Sequence, residues 1–270
     1  MVVQHNMAAS NANRQLGIST NTLSKSTEKL SSGYRINRAA DDAAGLSISE
    51  KMRSQIRGLN KASSNAQDGI SAIQTAEGAL NEAHSILQRM NELATQSAND
   101  TNTTADRTAV QSEVDALTNE LSRIASTSQF NTQNLLDGTF TGKNLQVGAL
   151  EKQKITISIG TMNATALGVG SLNVKSFTKA GSAMTLIQKA ISKVSGQRSD
   201  LGALQNRLEH TVNNLDNISE NTQTAESRIR DTDMASEMVQ YSATSIIQQA
   251  GQSMLAQANS QTQGVLSLIQ

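Results

Sequence analysis

The sequence contains no proline, cysteine or tryptophan, and only three Phe and two Tyr among its 270 residues. At an average usage of about 5%, a chain of this length would carry roughly 13 prolines. Because proline interrupts helices and central strands, its absence favours long, uninterrupted regular structure. The missing cysteines exclude disulfide frameworks, thiolate zinc sites and cysteine nucleophiles. The scarcity of aromatic residues excludes a large aromatic core.

The formal charge of the chain is zero, from 23 basic and 23 acidic residues. No global field attracts nucleic acid or an anionic membrane, so neither is expected as a partner. No stretch approaches the roughly 18 apolar residues of a membrane span, and residues 1–15 lack the basic and apolar regions of a cleavable secretory signal. We therefore expect no membrane insertion, and any export would use another route.

Both ends of the chain are nearly free of charge. Residues 1–24 contain Arg14 as their single formally charged residue, and residues 234–270 contain Glu237 alone. Apolar residues recur at intervals of seven, for example at Leu16, Leu23 and Leu30. The two ends are predicted to be amphipathic helices rich in Asn, Gln, Ser and Thr. The periodicity leaves open whether they pack on each other within one chain or on copies of the chain.

Longer seven-residue repeats mark the middle of the chain. One runs through Met52, Leu59, Ala66, Ile73, Leu80, Leu87 and Ala94, and another through Ile187, Val194, Leu201, Leu208 and Leu215. Such spacing is typical of coiled-coil helices. We expect the first of these helices to start after Asp41 and Asp42, which can cap it, and a shorter helix to follow a cap at Thr103 or Thr104.

The stretch 139–174 has a different period. Ile155, Ile157 and Ile159 alternate with polar residues after a shorter candidate strand at Leu145–Val147, which predicts a small β-hairpin. The predicted fold class is therefore mainly α: an elongated, coiled-coil-like helical bundle with both termini helical and the β-hairpin region at its distal end.

No pattern of catalytic or metal-binding residues is recognisable. His5, His84 and His210 are scattered and lack the HExxH spacing of a zinc helix. Phosphate-binding glycine loops and the GxSxG elbow are also missing. The adjacent Asp41 and Asp42 are better explained by helix capping than by acid–base catalysis. We expect no enzyme, no cofactor and no metal site, and infer that the surface itself is the functional feature.

Three stretches resemble bacterial flagellins. They are LSSGYRINRAADDAAGLSI at Leu30–Ile48, ESRIRDTDMASE at Glu226–Glu237 and QQAGQSMLAQAN at Gln248–Asn259. The resemblance covers residues 1–138 and 182–270 and implies a short member with only the two inner domains. It further implies a non-enzymatic subunit that self-assembles into the flagellar filament for swimming motility.

The resemblance also implies a domain division. Residues 1–33 and 234–270 would form the inner-tube domain, residues 34–46 and 228–233 a connecting spoke, and residues 47–227 a helical second domain that includes the 139–174 hairpin region. The spoke residues singled out are Arg35, Arg38, Asp41 and Asp42. Polymerisation is assigned to the apolar side chains of Leu16, Leu23, Leu30, Ile246, Ile247, Met254 and Leu255.

Two further partners follow from the resemblance. An export chaperone would bind the C-terminal helix at Met234–Gln270 before unfolded export through the flagellar type III apparatus to the outside of the cell. The stretch LQRMNELATQ at Leu87–Gln96 is similar to the patch recognised by animal Toll-like receptor 5. On that basis Gln88, Arg89, Leu93 and Glu113 would be receptor contacts, on a surface that assembly would also bury.

Two alternatives to the filament subunit remain at this stage. A hook–filament junction protein would share the terminal helices, although the stretches at Glu226–Glu237 and Gln248–Asn259 favour the filament subunit. An extracellular helical binding or signalling module would need a larger central insertion than the roughly 40 residues around the hairpin.

Overall fold

A computed structural model gives the backbone of residues 5–267 and the side chains of residues 5–261. The described elements follow in chain order as α1 (Met7–Ser32), α2 (Ala43–Ser97), α3 (Thr104–Thr127), β1 (Gln129–Phe130), β2 (Gln133–Asn134), β3 (Lys143–Gln146), β4 (Lys154–Ile157), α4 (Ala164–Leu167), α5 (Phe177–Arg230) and α6 (Met234–Ser267). The predicted mainly helical fold with helical termini and a small antiparallel hairpin region is confirmed. The predicted inner-tube domain also includes residues 1–4 and 268–270, which lie outside the described residues.

The long helices begin and end at residues that satisfy their terminal backbone groups. Asn6 accepts from the amide of Ala9 to start α1, and Gly33, with φ of 74°, ends it by donating to the Lys29 carbonyl. Thr103 and Asp106 form a reciprocal capping box at the start of α3. The predicted cap at Thr103 is therefore confirmed.

Only one of the two predicted caps of α2 has that role. Asp42 Oδ1 accepts from the amide of Gly45 at 2.8 Å, as an N-cap does. Asp41 instead accepts from the amides of Asn37 and Arg38 at 3.2 and 2.9 Å, so it closes the preceding loop. The two carboxylates differ because only the residue next to the first helical position can reach the free amides of the first turn.

The chain divides into two compact units. The terminal unit comprises Met1–Ser54 and Asn221–Gln270, and the central unit comprises Gln55–Glu220. In the central unit the predicted seams are buried: Leu80, Leu87 and Leu208 are each 0% exposed. The central unit therefore has an aliphatic core of its own, with a smaller second cluster at Leu59, Ala62 and Leu215.

A β-hairpin covers part of this core. Its two strands pair antiparallel, with Leu145 opposite Ile155. Ile155, Ile157 and Ile159 are buried, although Ile159 lies just beyond β4. The first strand runs over Lys143–Gln146 rather than Leu145–Val147. Gly69 of α2 lets Leu145 approach closely, because a Cβ at this position would overlap the Leu145 side chain.

The periodicity predicted neither the small β1–β2 hairpin nor the four-residue helix α4. In the β1–β2 hairpin, Asn131 and Thr132 have φ of 46° and 63°, the left-handed values of a two-residue hairpin turn. Both elements are too short for a repeat of polar and apolar residues to appear.

Candidate assembly surfaces

Helices α1 and α6 of the terminal unit form an antiparallel pair. Three contacts set their register: Asn6 Nδ2 donates to the Ala258 carbonyl at 2.9 Å, Gln248 Nε2 donates to Thr20 Oγ1 at 3.3 Å, and Lys29 Nζ lies 3.6 Å from Glu237 Oε2. In each pair the two residue numbers add up to nearly the same value, as an antiparallel pairing requires. The two chain ends therefore do pack on each other within one chain.

The seam of this helix pair mixes half-buried leucines with small and polar side chains. Apart from Ser245, the α6 residues that lose solvent exposure recur every three or four positions and are Glu237, Tyr241, Thr244, Gln248, Gly251, Leu255 and Ala258. Their counterparts on α1 are Ala9, Ala12, Leu16, Ser19, Leu23, Ser26 and Leu30. Only Ser26 and Thr244 reach full burial. The seam therefore fixes register through polar contacts more than it supplies hydrophobic burial.

Four large apolar residues of α6 lie outside this seam. Val239, Ile246, Ile247 and Met254 are 71%, 66%, 55% and 65% exposed. With the exposed Ala243 and Ala250 they form one stripe, here called the outward face. An exposed apolar surface of this kind is typical of an interaction site.

The predicted polymerisation residues thus belong to two surfaces. Leu16, Leu23, Leu30 and Leu255 are half-buried in the α1–α6 seam, whereas Ile246, Ile247 and Met254 lie on the outward face. Heptad spacing alone does not separate them, because both stripes follow the same repeat.

The predicted spoke residues lie in the segment that follows α1, next to the residues that precede α6. Tyr34 and Asp231 form an antiparallel bridge, and the Arg35 amide donates to the Arg230 carbonyl at 2.6 Å. The Arg35 guanidinium donates to the Ile229 carbonyl. Arg38 pairs with Glu28 at 2.9 Å. The residues at 34–46 and 228–233 are therefore tied together by backbone and side-chain contacts.

Arg230 is the central cation of this region and was not singled out from the sequence. Its guanidinium lies 4.7 Å from the centre of the Tyr34 ring and 2.7 Å from Glu50 Oε1. The hydrogen bond from Arg230 holds the pKa of Glu50 below its ordinary value. The amides of Arg38 and Asn37 likewise lower the pKa of Asp41. Both carboxylates are therefore held in the charged form.

Three of the four predicted receptor residues lie on the surface of the central unit. Arg89 donates to Glu113 Oε1 at 3.0 and 2.9 Å and to Glu92 at 3.1 Å, and Gln88 contacts His84. The Glu113 carboxylate raises the pKa of Arg89. Leu93, in contrast, is 1% exposed, so it is a core residue and offers no contact surface. It lies three residues after the buried Met90, on the packed side of α2.

The described residues contain no group of three or more His, Asp or Glu side chains arranged to hold a metal ion. Between residues 5 and 267, no helix combines the length and the apolarity that crossing a membrane requires.

Comparisons with known proteins agree with this architecture. Residues 3–141 match the bacterial flagellin N-terminal helical region, and residues 184–269 match the bacterial flagellin C-terminal helical region. A flagellin of Halalkalibacterium halodurans is 55% identical over 271 residues, which cover 100% of both chains. A flagellin of Bacillus subtilis is 48% identical and also covered in full. The crystal structure of Bacillus cereus flagellin aligns with a TM-score of 0.50 at 33% identity, covering 56% of this chain and 88% of that one.

The exposed apolar face of α6 indicates a protein that associates with other chains. The chain belongs to the bacterial flagellins, and it is a structural subunit of the flagellar filament that serves swimming motility. The relatives give no support to a junction protein or to a separate binding module.

Proposed function

We propose that the outward face of α6 is the surface through which this subunit joins the filament. The observation that carries this proposal is the exposure of Val239, Ile246, Ile247 and Met254 beside a seam made largely of small and polar residues. Each such side chain contributes about 1.5–3 kcal/mol when it passes from water into an apolar contact. A helix pair with little internal burial therefore gains most of its stability from neighbouring copies.

The test uses one substitution with a matched control. Ile246→Asn removes an apolar contact from the outward face and is expected to raise the critical concentration for polymerisation about tenfold or more. Leu150→Asn changes a residue of similar exposure, 69% against 66%, in the loop of the β-hairpin and should leave polymerisation unchanged. Sedimentation of seeded polymer at neutral pH measures both values. Equal behaviour of the two variants would contradict the proposal.

A truncation gives the larger effect. Removal of residues 234–270 should abolish polymerisation, while the central unit keeps its helical circular dichroism and cooperative unfolding because its core lies within Gln55–Glu220. A truncated chain that still forms filaments would refute the role of α6.

The same proposal assigns the domains. Residues 1–33 and 234–270 form the inner tube, residues 34–46 and 228–233 the spoke, and residues 47–227 the second domain. The low charge of both ends supports an inner position, where identical copies lie close together and like charges would repel. The bonds among Arg35, Arg230 and Glu50 support a spoke of fixed geometry.

We further infer that the subunit is exported to the outside of the cell and has no catalytic activity. An export chaperone would cover Met234–Gln270 before secretion, since the outward face is apolar already in the single chain. Isothermal titration of the monomer with the cognate flagellar chaperone should show binding that Ile246→Asn weakens and Leu150→Asn does not. Equal binding by both variants would contradict a chaperone site on this face.

Recognition by Toll-like receptor 5 is proposed for the surface formed by Gln88, Arg89 and Glu113. This surface presents one guanidinium flanked by two carboxylates, those of Glu113 and Glu92. Arg89→Ala should reduce activation of a receptor reporter by the monomer, whereas Arg53→Ala, which removes another ion-paired arginine of α2, should not. Full activity of Arg89→Ala would exclude this patch.

A further inference from the structure

We propose that the central unit carries two complementary charged ridges, one basic on α5 and one acidic on α3, through which neighbouring copies pair side by side. This proposal rests on the filament function above and names a second contact for it, separate from the outward face of α6.

The basic ridge begins where the sequence loses its acidic residues. Residues 152–199 contain no Asp or Glu but seven Lys or Arg. On the first part of α5 and the residues before it, one exposed stripe follows spacings of four, three, four, three and four residues. Its members are Lys175, Lys179, Ser182, Leu186, Lys189 and Lys193.

The four lysines of this ridge are exposed. None of them forms an ion pair among the residues whose side chains are described, and only Lys193 has a hydrogen bond, to the Ala166 carbonyl at 3.1 Å. Leu186 lies between the lysine pairs and is 40% exposed. The ridge thus combines unpaired positive charge with an apolar centre.

The acidic ridge lies on α3. Residues 98–138 contain six acidic and two basic residues, and residues 108–122 contain no Lys or Arg. The surface stripe on this helix follows spacings of three, four, three and four residues and consists of Asp106, Ala109, Glu113, Ala116 and Glu120. Arg89 bonds only Oε1 of Glu113, so the other oxygen can accept from a further cation. Both oxygens of Glu120 already accept from the exposed Arg123 of the same helix, so a lysine of another copy would join this ion pair.

The two ridges match in length. Asp106 and Glu120 are 14 residues apart, which is about 21 Å along a helix. The same separation of 14 residues relates the two lysine pairs, Lys175–Lys179 and Lys189–Lys193. Asp106 and Glu120 of one copy can therefore each face a lysine pair of another. The apolar centre at Leu186 then meets the alanines of α3. Stripes with these spacings pack against each other at shallow crossing angles.

This contact joins different surfaces of two copies. A heterologous contact of this kind does not close on itself and extends into an open polymer. It would also cover Glu113, so the receptor surface proposed above becomes inaccessible on assembly. The charges chiefly fix the register of neighbouring copies, because juxtaposition of like charges costs several kcal/mol.

Charge reversal tests the pairing. One variant carries Lys189→Glu and Lys193→Glu, a second carries Glu113→Lys and Glu120→Lys, and a third combines all four changes. We expect each of the first two to raise the critical concentration for polymerisation at least about tenfold, since like charges then face each other. The combined variant, and an equimolar mixture of the first two, should polymerise nearly as the unaltered chain does. A chain with Lys51→Glu and Lys61→Glu, two exposed lysines of α2, is the control.

The outcomes separate this proposal from the function on which it rests. Circular dichroism first establishes that every monomer is folded. If the reversed variants polymerise normally, or if the combined variant and the mixture fail to recover, the paired ridges are wrong while the filament function stands. If the unaltered chain does not polymerise with seeds, both proposals are wrong. Recovery in the combined variant and in the mixture would support the pairing of these two ridges.

Discussion

The terminal unit and the central unit carry the same seven-residue repeat but use it in opposite ways. In the central unit the repeat is buried, with Leu80, Leu87 and Leu208 each 0% exposed. In the terminal unit the buried side of α6 carries Thr244 and Gln248, while Ile246 and Met254 face solvent. The difference shows that a heptad pattern predicts a helix with an apolar stripe but leaves open whether the partner belongs to the same chain.

Substitutions in the two units should differ most in how far they lower the stability of the monomer. Leu80→Ala should lower the free energy of unfolding by about 2–5 kcal/mol, because it leaves a cavity in a packed core. Ile247→Ala removes an aliphatic side chain that is 55% exposed and should change it by less than about 0.5 kcal/mol. Urea denaturation of the monomer measures both. Similar losses for the two variants would show that α6 is packed as tightly in the monomer as the central core is.

A substitution at Gly45, with a smaller expected effect on stability, tests whether the terminal unit has a packed region of its own. Gly45 is buried, and a Cβ there would lie 2.8 Å from Cδ1 of Ile36, which is 1% exposed, and would also meet the capping Asp42 carboxylate. Gly45→Ala should therefore destabilise the monomer by about 1 kcal/mol despite its better helix propensity.

Gly17→Ala is the matched control for this change. Apart from its chain neighbours and the backbone of its own helix, no atom lies within 4 Å of a Cβ at Gly17, so only the gain in helix propensity remains and helicity should rise. Thermal unfolding followed by circular dichroism gives the sign of each effect. The same sign for both variants would show that the contact between Gly45 and Ile36 does not limit stability.

The smallest predicted effect is a loss of monomer stability at acidic pH. The folded-state pKa of Glu50 lies below its ordinary value of 4.5, and that of Asp41 lies below 3.8. A lowered folded pKa stabilises the charged form, so this stabilisation is complete above the ordinary values and is lost as the pH falls through the folded pKa. The unfolding temperature should therefore fall below about pH 4.5, and Glu50→Gln should reduce this dependence. An unchanged pH profile in Glu50→Gln would exclude the Glu50–Arg230 pair as its source.

Much of the fold could be predicted because long helices repeat the same signal many times. The seam from Ile187 to Leu215 identifies α5, and the alternation of Ile155 and Ile157 identifies the hairpin. The two-residue strands β1 and β2 repeat nothing, and Asn131 is their only turn signal. Short elements of this kind depend on their surroundings more than on their own pattern.

The surfaces were harder to predict than the helices. Leu93 was expected at a receptor patch, although its spacing from Met90 places it in the core. Ile246 and Leu255 were assigned to one set, but they lie on different sides of α6. Arg230 was overlooked because its partners Tyr34 and Glu50 are 180 or more residues away in sequence, and only the folded chain brings them together.

Hydrogen exchange of the same protein as monomer and as polymer tests most directly whether the terminal unit completes its burial between copies. We expect the amides of α6 to exchange with little protection in the monomer and to become strongly protected in the filament. Amides of α2 and α5 within Gln55–Glu220 should be well protected in both states. If α6 in the monomer were already as protected as those helices, the terminal unit would be stable by itself and would not depend on neighbouring copies.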